Sequence, residues 1–265
     1  MDPISRGCGV PTESSLDRER SRARSLLEQD RVWCAYALAD LEPPFVERTG
    51  WHVGDQGLVM VYRGLTPPWL FAHGEPEEVD RLLRDIPTGT YQFSLLATHR
   101  SRLGGRLRTP LETPMWRMVL RLEDYPSGRS QGAEVLKASD LPSLLALFGE
   151  HPDRPDAFDA GQLENGVFFG IRRNGGLVSA AGTHVIGRAA GVAAVGNVFT
   201  HPDYRRHGYG RRVGAAVVEA LLGQGVDTIV LNVAMANDSA LGLYRGLGFW
   251  PFCGYYEGVG ELLAD

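Results

Sequence analysis

Hydrophobic and polar positions along the chain alternate between two periods, and the alternation runs through both halves. In the first half, Leu16, Ala23, Leu26 and Leu27 give a polar helix over Ser15–Gln29 its few apolar contacts. Short apolar and aromatic runs predict strands at Leu58–Tyr62, Trp69–Ala72, Tyr91–Ala97 and Met115–Leu122. Val79, Leu82 and Leu83 share one face of a helix over Pro76–Ile86, with Pro76 suited to its first turn. Asp124–Gly132, rich in Pro, Ser and Gly, reads as a linker. The second half starts afresh, with a strand at Glu134–Lys137 and a helix from a Ser139 cap to Phe148. Strands at Val167–Arg172 and Leu177–Ile186 flank Asn174-Gly175, a hairpin signal. An apolar strand over Gly191–Thr200 leads into a helix carrying Val213, Ala216, Val217, Ala220 and Leu221 on one face. A strand at Thr228–Val233, a helix from Asn237 and a final strand close the chain. The result is a mixed α/β sheet of α+β character with helices on both faces.

Composition narrows the class. The 265 residues suit one large or two small domains, with a boundary at 124–132 between residues 15–123 and 133–265. Residues 1–14, mixing Gly, Pro, Ser and single charges, read as a disordered lead. A net charge of −5 argues against general nucleic-acid affinity. No apolar run reaches membrane-spanning length, and no signal-peptide core opens the chain. Cys8, Cys34 and Cys253 form neither a paired framework nor a zinc spacing, so no metal is expected and the chain reads as cytoplasmic.

The sharpest chemical signal is Val198-Phe-Thr-His-Pro-Asp-Tyr-Arg-Arg-His-Gly-Tyr-Gly-Arg-Arg212. Gly208 and Gly210 sit where a strand turns into a helix. Glycines let peptide N–H groups approach phosphate oxygens, and a helix N-terminus adds unpaired donors. Arg205, Arg206, Arg211 and Arg212 bring charge to the same turn. A dinucleotide-binding fingerprint fits poorly, since too little chain follows for a doubly wound sheet. A glycine-eased turn with solvated arginines is the plain alternative. Further on, Asn237 caps a helix with a stripe of Ala240, Leu243, Tyr244 and Leu247, ended by Gly248. Seven residues make about two helical turns, so Asn237 and Tyr244 share a face.

Arg205-x-x-Gly208-x-Gly210, followed by Asn237, Ala240, Tyr244 and Gly248-Phe249, resembles the GNAT superfamily of acyl-coenzyme-A-dependent N-acyltransferases over about residues 133–260. The Val-x-Thr-x-Pro run looks most like the glycine-N-acyltransferase-like branch. The resemblance implies a GNAT fold and acetyl-CoA as co-substrate. It implies that Val198, Phe199 and Thr200 pair with the pantetheine, and that Arg205, Arg206, His207, Gly208, Tyr209, Gly210 and Arg211 form the pyrophosphate loop. Asn237 would contact the pantetheine and Tyr244 would protonate the departing thiolate. Where relatives carry a glutamate base, this chain has Ala194 and Asn232, and the candidates left are Asn197, His184, His151 and Glu150. The first half lacks a phosphate loop. Arg102-Leu-Gly-Gly-Arg106 comes nearest, so that half reads as a degenerate GNAT-like unit, or an unrelated cap, shaping the acceptor pocket. Trp51, His52, Trp69, Tyr91 and Trp116 make it aromatic-rich. The implied activity is acetyl transfer to the amine of a small molecule or amino acid, with no nucleic-acid or membrane partner and a homodimer allowed. The rivals are a non-catalytic acyl-CoA sensor and a protein N-acetyltransferase. Cys253 is read as a filler that could approach the thioester, and the two halves as separable domains sharing one coenzyme.

Overall fold

The computed structural model describes residues 15–155 and 157–264, so the expected disordered lead and Cys8 lie outside the described residues. The first half runs α1 (Ser15–Leu27), α2 (Ala35–Ala39), β1 (Thr49–Val53), β2 (Gly57–Tyr62), β3 (Trp69–Gly74), α3 (Pro76–Leu83), β4 (Gly89–Leu96), α4 (Ala97–Leu103) and β5 (Leu107–Leu120). The second runs β6 (Glu134–Val135), α5 (Leu141–Phe148), α6 (Ala160–Asn165), β7 (Phe169–Arg173), β8 (Gly176–Gly187), β9 (Val192–Thr200), α7 (Tyr209–Gly223), β10 (Thr228–Ala234), α8 (Asp238–Arg245) and β11 (Phe249–Leu262). Asn174 and Gly175 both take positive φ, 52° and 81°, as the tight β7–β8 hairpin requires. A 3-10 turn at Ala138–Asp140 precedes α5, so Ser139 lies inside that turn instead of capping the α-helix.

All 11 strands of the described residues join one mixed sheet in the order β1-β2-β3-β4-β11-β5-β10-β9-β8-β7-β6. The two halves exchange strands. β5, from the first half, lies antiparallel to β10, and β11, from the second, lies antiparallel to β4. Each half contains one parallel pair joined by a helical crossover, β3/β4 through α3 and β9/β10 through α7. The separability read from the 124–132 segment is therefore corrected, because excising either half would strip a central strand from the other. A shared core makes the same point: Leu27, Trp33 and Leu38 of α1–α2 and the loop between them pack with Val192, Ala194 and Val230 of the second half. On the opposite face Val213, Val217 and Leu221 of α7 pack on Val195, Ile229 and Leu231.

Asp40, buried at the end of α2, has its carboxyl pushed up to about 7 by desolvation. The unfolded value is near 4, so between pH 4 and 7 the folded chain binds more protons than the unfolded one. Stability should fall as pH rises through that window, by at most about 1.4 kcal/mol for each pH unit crossed. Asp40→Asn should flatten the slope. Denaturant melts at pH 4.5, 6 and 7.5 check this, and an unchanged slope in the variant would assign the pH dependence elsewhere.

Candidate functional site

β9 and β10 pair in parallel from Val192/Thr228 to Val195/Leu231 and no further. Beyond that point β9 stays with β8, and β10 stays with β5. A cleft opens between residues 196–200 of one strand and 232–234 of the other. β9 bulges there. Gly196 faces Gly182 and Phe199 faces Ala180, leaving two residues, Asn197 and Val198, against the single Ala181. Asn197 takes φ of 53° at the bulge. A bulge re-aims backbone groups away from the ladder, here beside the cleft.

The loop from Arg205 to Gly210 closes one end. Arg206 and Gly208 take φ of 63° and 76°, and Gly208 is the N-cap of α7. The first intrahelical bond from this cap is Arg212 N–H to the Gly208 carbonyl, so the N–H groups of residues 209–211 have no partner inside the helix. A Cβ on Gly208 would meet nothing within 4 Å, whereas one on Gly210 would meet Leu243 Cδ1 at 3.0 Å and Thr200 Oγ1 at 3.3 Å. Gly208 is thus open to a ligand, and Gly210 is where α7 packs on α8 and β9. A cavity of about 330 Å³ beside the loop is lined by Gly128, Arg129, Gln131, Gly208, Arg211 and Arg212. Sequence reasoning missed Arg129 and Gln131 by treating 124–132 as a spacer. That segment is tied down over α7: the Tyr125 hydroxyl donates to the Ala215 carbonyl at 3.2 Å, and Gly128 N–H to Glu219 at 3.2 Å.

The other expected loop residues do not all face the cavity. Arg205 donates Nε to the Thr200 carbonyl at 3.0 Å and pairs with Asp153, bracing the loop after α5. His207 stacks on Tyr209 with ring centroids 5.8 Å apart, and Arg173 donates to the Tyr209 hydroxyl at 3.0 Å.

α8 walls the cleft on the α7 side. Asn237 caps it by accepting the Ala240 N–H at 3.1 Å. Tyr244 follows two turns later, its ring 6.2 Å from Phe249. Burial pushes the Tyr244 phenol up to about 12, so it stays protonated at neutral pH.

The opposite wall comes largely from the first half. Tyr36 of α2 shares a 2.9 Å hydrogen bond with His184 Nδ1, and His184 Nε2 packs against Gly196. Burial is also the main cause raising the Tyr36 phenol. Arg117 of β5 lies directly across from Asn232, the first β10 residue past the paired stretch, and from Cys253 of β11. Cys253 is held protonated, pushed up to about 11 by burial. Of the four base candidates, His184 alone stands beside Gly196 on this wall. Asn197 is held by Gln162 at 2.8 Å, His151 packs tilted against Phe199 and edge-on to His201, and Glu150 is an exposed partner of Arg154. The aromatics singled out in the first half are mostly core: Trp51 and Tyr91 are buried in separate clusters.

The Acetyltransferase (GNAT) family pattern matches residues 136–249. The chain is 31% identical over 117 residues to the [ribosomal protein bS18]-alanine N-acetyltransferase of Escherichia coli (strain K12), covering 43% of this chain and 77% of that protein. It is 29% identical over 196 residues to a mycothiol acetyltransferase of Thermobispora bispora, covering 68% of this chain and 61% of that protein. Its fold resembles the solved structure of a GCN5-related N-acetyltransferase from Kribbella flavida, with a TM-score of 0.61 at 19% identity over 87% of this chain and 94% of that one.

Proposed function

From the premise that the chain belongs to the GNAT family and is an acyl-CoA-dependent N-acetyltransferase, we propose that it acetylates the amine of a small molecule or amino acid. The observation that carries this reading is the splayed β9/β10 cleft, with a basic loop at one end and a first-half wall along the acceptor side. Acetyl-CoA supplies an activated acyl carbon and a thiolate leaving group. The open left-handed Gly208, the free N–H groups of 209–211 and the Arg129, Arg211 and Arg212 side chains suit its phosphates. Val198–Thr200 and Asn237 flank the path of the pantetheine. Backbone N–H groups at the Asn197 bulge stand where an acyl oxygen would take charge. Tyr244 holds a proton for sulfur as the C–S bond breaks and the N–C bond forms. His184, oriented by Tyr36, takes the amine's proton.

The first half is proposed as a degenerate GNAT-like unit. Its β3–α3–β4 crossover parallels β9–α7–β10, but α3 opens with Glu75-Pro76-Glu77-Glu78 beside a hollow lined by Asp55, Gln56, Glu75, Glu77 and Glu78. That rim repels a pyrophosphate. Arg102 and Arg106 are drawn instead to Glu77 and Asp80. The Val-x-Thr-x-Pro run supports the glycine-N-acyltransferase-like branch. A second reading, a protein N-terminus as acceptor, is favoured by the name of the E. coli relative. The α1–α2 cover over the acceptor side argues against a bulky acceptor.

Thermal melts with acetyl-CoA, NAD and ATP test the proposal. At about 100 times its dissociation constant acetyl-CoA should add about 2.7 kcal/mol, and the other two nothing. Calorimetry should count one site per chain. No shift with acetyl-CoA, a larger one with NAD, or two equivalent sites would overturn the reading.

A further inference from the structure

Arg117 carries a guanidinium only 1% exposed, on the sixth of the sheet's eleven strands. Among the described residues no carboxylate lies within ion-pair distance of it. Its Nε and Nη1 are buried without a hydrogen-bond partner. Three aromatic rings surround the guanidinium: Tyr36 with its centroid 4.7 Å away, Trp33 at 5.3 Å and Tyr255 at 5.7 Å. Ring faces offset part of the desolvation of a cation, but they accept none of its in-plane N–H donors. A buried guanidinium with idle donors is costly, and such groups are ordinarily satisfied.

Its position gives the idle donors a use. Asn232, directly across the strand pair, marks the place where β9 and β10 part. The Asn232 Oδ1 is likewise buried without a partner. Side chains opposed across an antiparallel pair are about 5 Å apart at Cβ. One therefore offers N–H donors and a positive charge, the other a lone pair, side by side on the acceptor wall with Tyr36 and His184.

We propose that Arg117 is the recognition residue for a carboxylate on the acceptor, and that the acceptor is a small amino acid whose amine is turned toward Asn232 and His184. This rests on the acetyltransferase reading and adds the chemical class of its substrate. The guanidinium binds the carboxylate through charge-assisted hydrogen bonds beside the three rings. An amine lacking the carboxylate leaves those donors unpaired, and sites of that kind reject such analogues strongly.

The experiment measures acetyl-CoA-dependent turnover of common α-, β- and γ-amino acids, each beside its carboxamide and its decarboxylated amine. At least one amino acid should exceed both counterparts by about 100-fold or more in kcat/KM. Arg117→Met should erase that preference while calorimetry still counts one acetyl-CoA site. Arg117→Lys, which keeps the charge but not the planar fork, should recover part of it. Wild-type discrimination decides the matter if the Met variant does not fold. Equal turnover of acids and neutral counterparts, no turnover of any carboxylate-bearing amine by the acetyl-CoA-bound protein, or a Met variant that retains the preference would each overturn the assignment. Failure of acetyl-CoA to bind at all is read separately and would overturn the underlying function.

Discussion

Gly208→Val is expected to weaken acetyl-CoA binding by at least about 100-fold, about 2.7 kcal/mol, in a protein that remains folded. Two effects combine. Gly208 has φ of 76°, where a β-branched residue is strained, so the turn into α7 would be re-aimed. The new side chain would also project into the open space proposed for phosphate oxygens beside the N–H groups of residues 209–211. Nothing within 4 Å of that position packs against it, so the core keeps its shape. Gly210→Val is a poorer probe, because the added carbon meets Leu243 and Thr200 and disturbs the α7–α8 contact. Gly208→Asn separates the two effects, since asparagine tolerates the left-handed conformation. It should retain the fold and lose affinity through side-chain bulk alone. Calorimetry with coenzyme A, beside a melt of each variant, gives the answer. A folded Gly208→Val protein with wild-type affinity would remove the loop from the phosphate site.

How much of this was legible in the sequence follows from the range of each interaction. The loop from Arg205 to Arg212, the Asn237 cap and the Asn174-Gly175 hairpin are local, so residue types and spacing carried them. β1 was missed because Trp51 and Val53 alone make up its strongly apolar face, too few residues to set a period. α2 was missed because Ala35–Ala39 is apolar nearly all round and has no period to read. The exchange of β5 and β11 depends on pairings such as Arg117 with Cys253, more than a hundred residues apart, that leave no trace in either strand's pattern. For the same reason Arg117, Tyr36 and Arg129 went unnoticed as site residues. In sequence Arg117 is one charge in an apolar run, and only the sheet order puts it beside Asn232 at the mouth of the cleft. The proposed acceptor side is thus built almost wholly from long-range contacts, whereas the proposed coenzyme side has one contiguous segment, Val198–Arg212, at its centre, with Arg129 and Gln131 brought to it by the fold.

That division gives Tyr244 its clearest test. Tyr244→Phe should lower kcat by about 10²–10⁴-fold and leave acetyl-CoA affinity nearly unchanged. The ring is held by packing, partly buried on the apolar face shared with Leu241, Leu243 and Phe249, and phenylalanine preserves that packing. Only the hydroxyl is lost. It matters when sulfur acquires negative charge, so the loss belongs to the chemical step and not to ground-state binding. The phenol's pKa, raised by burial to about 12, sets the pH signature. A proton donor with so high a value stays loaded across the neutral and mildly alkaline range. Wild-type kcat should therefore show no alkaline loss below about pH 10 from this group, whose ordinary value is about 10. A thioester carrying a more acidic thiol leaving group needs less protonation, so it should narrow the gap between wild type and variant. Steady-state kinetics with both thioesters, beside coenzyme A titrations, measures each of these. A variant with wild-type kcat would reduce Tyr244 to a packing residue and favour a protein that senses acyl-CoA without turning it over.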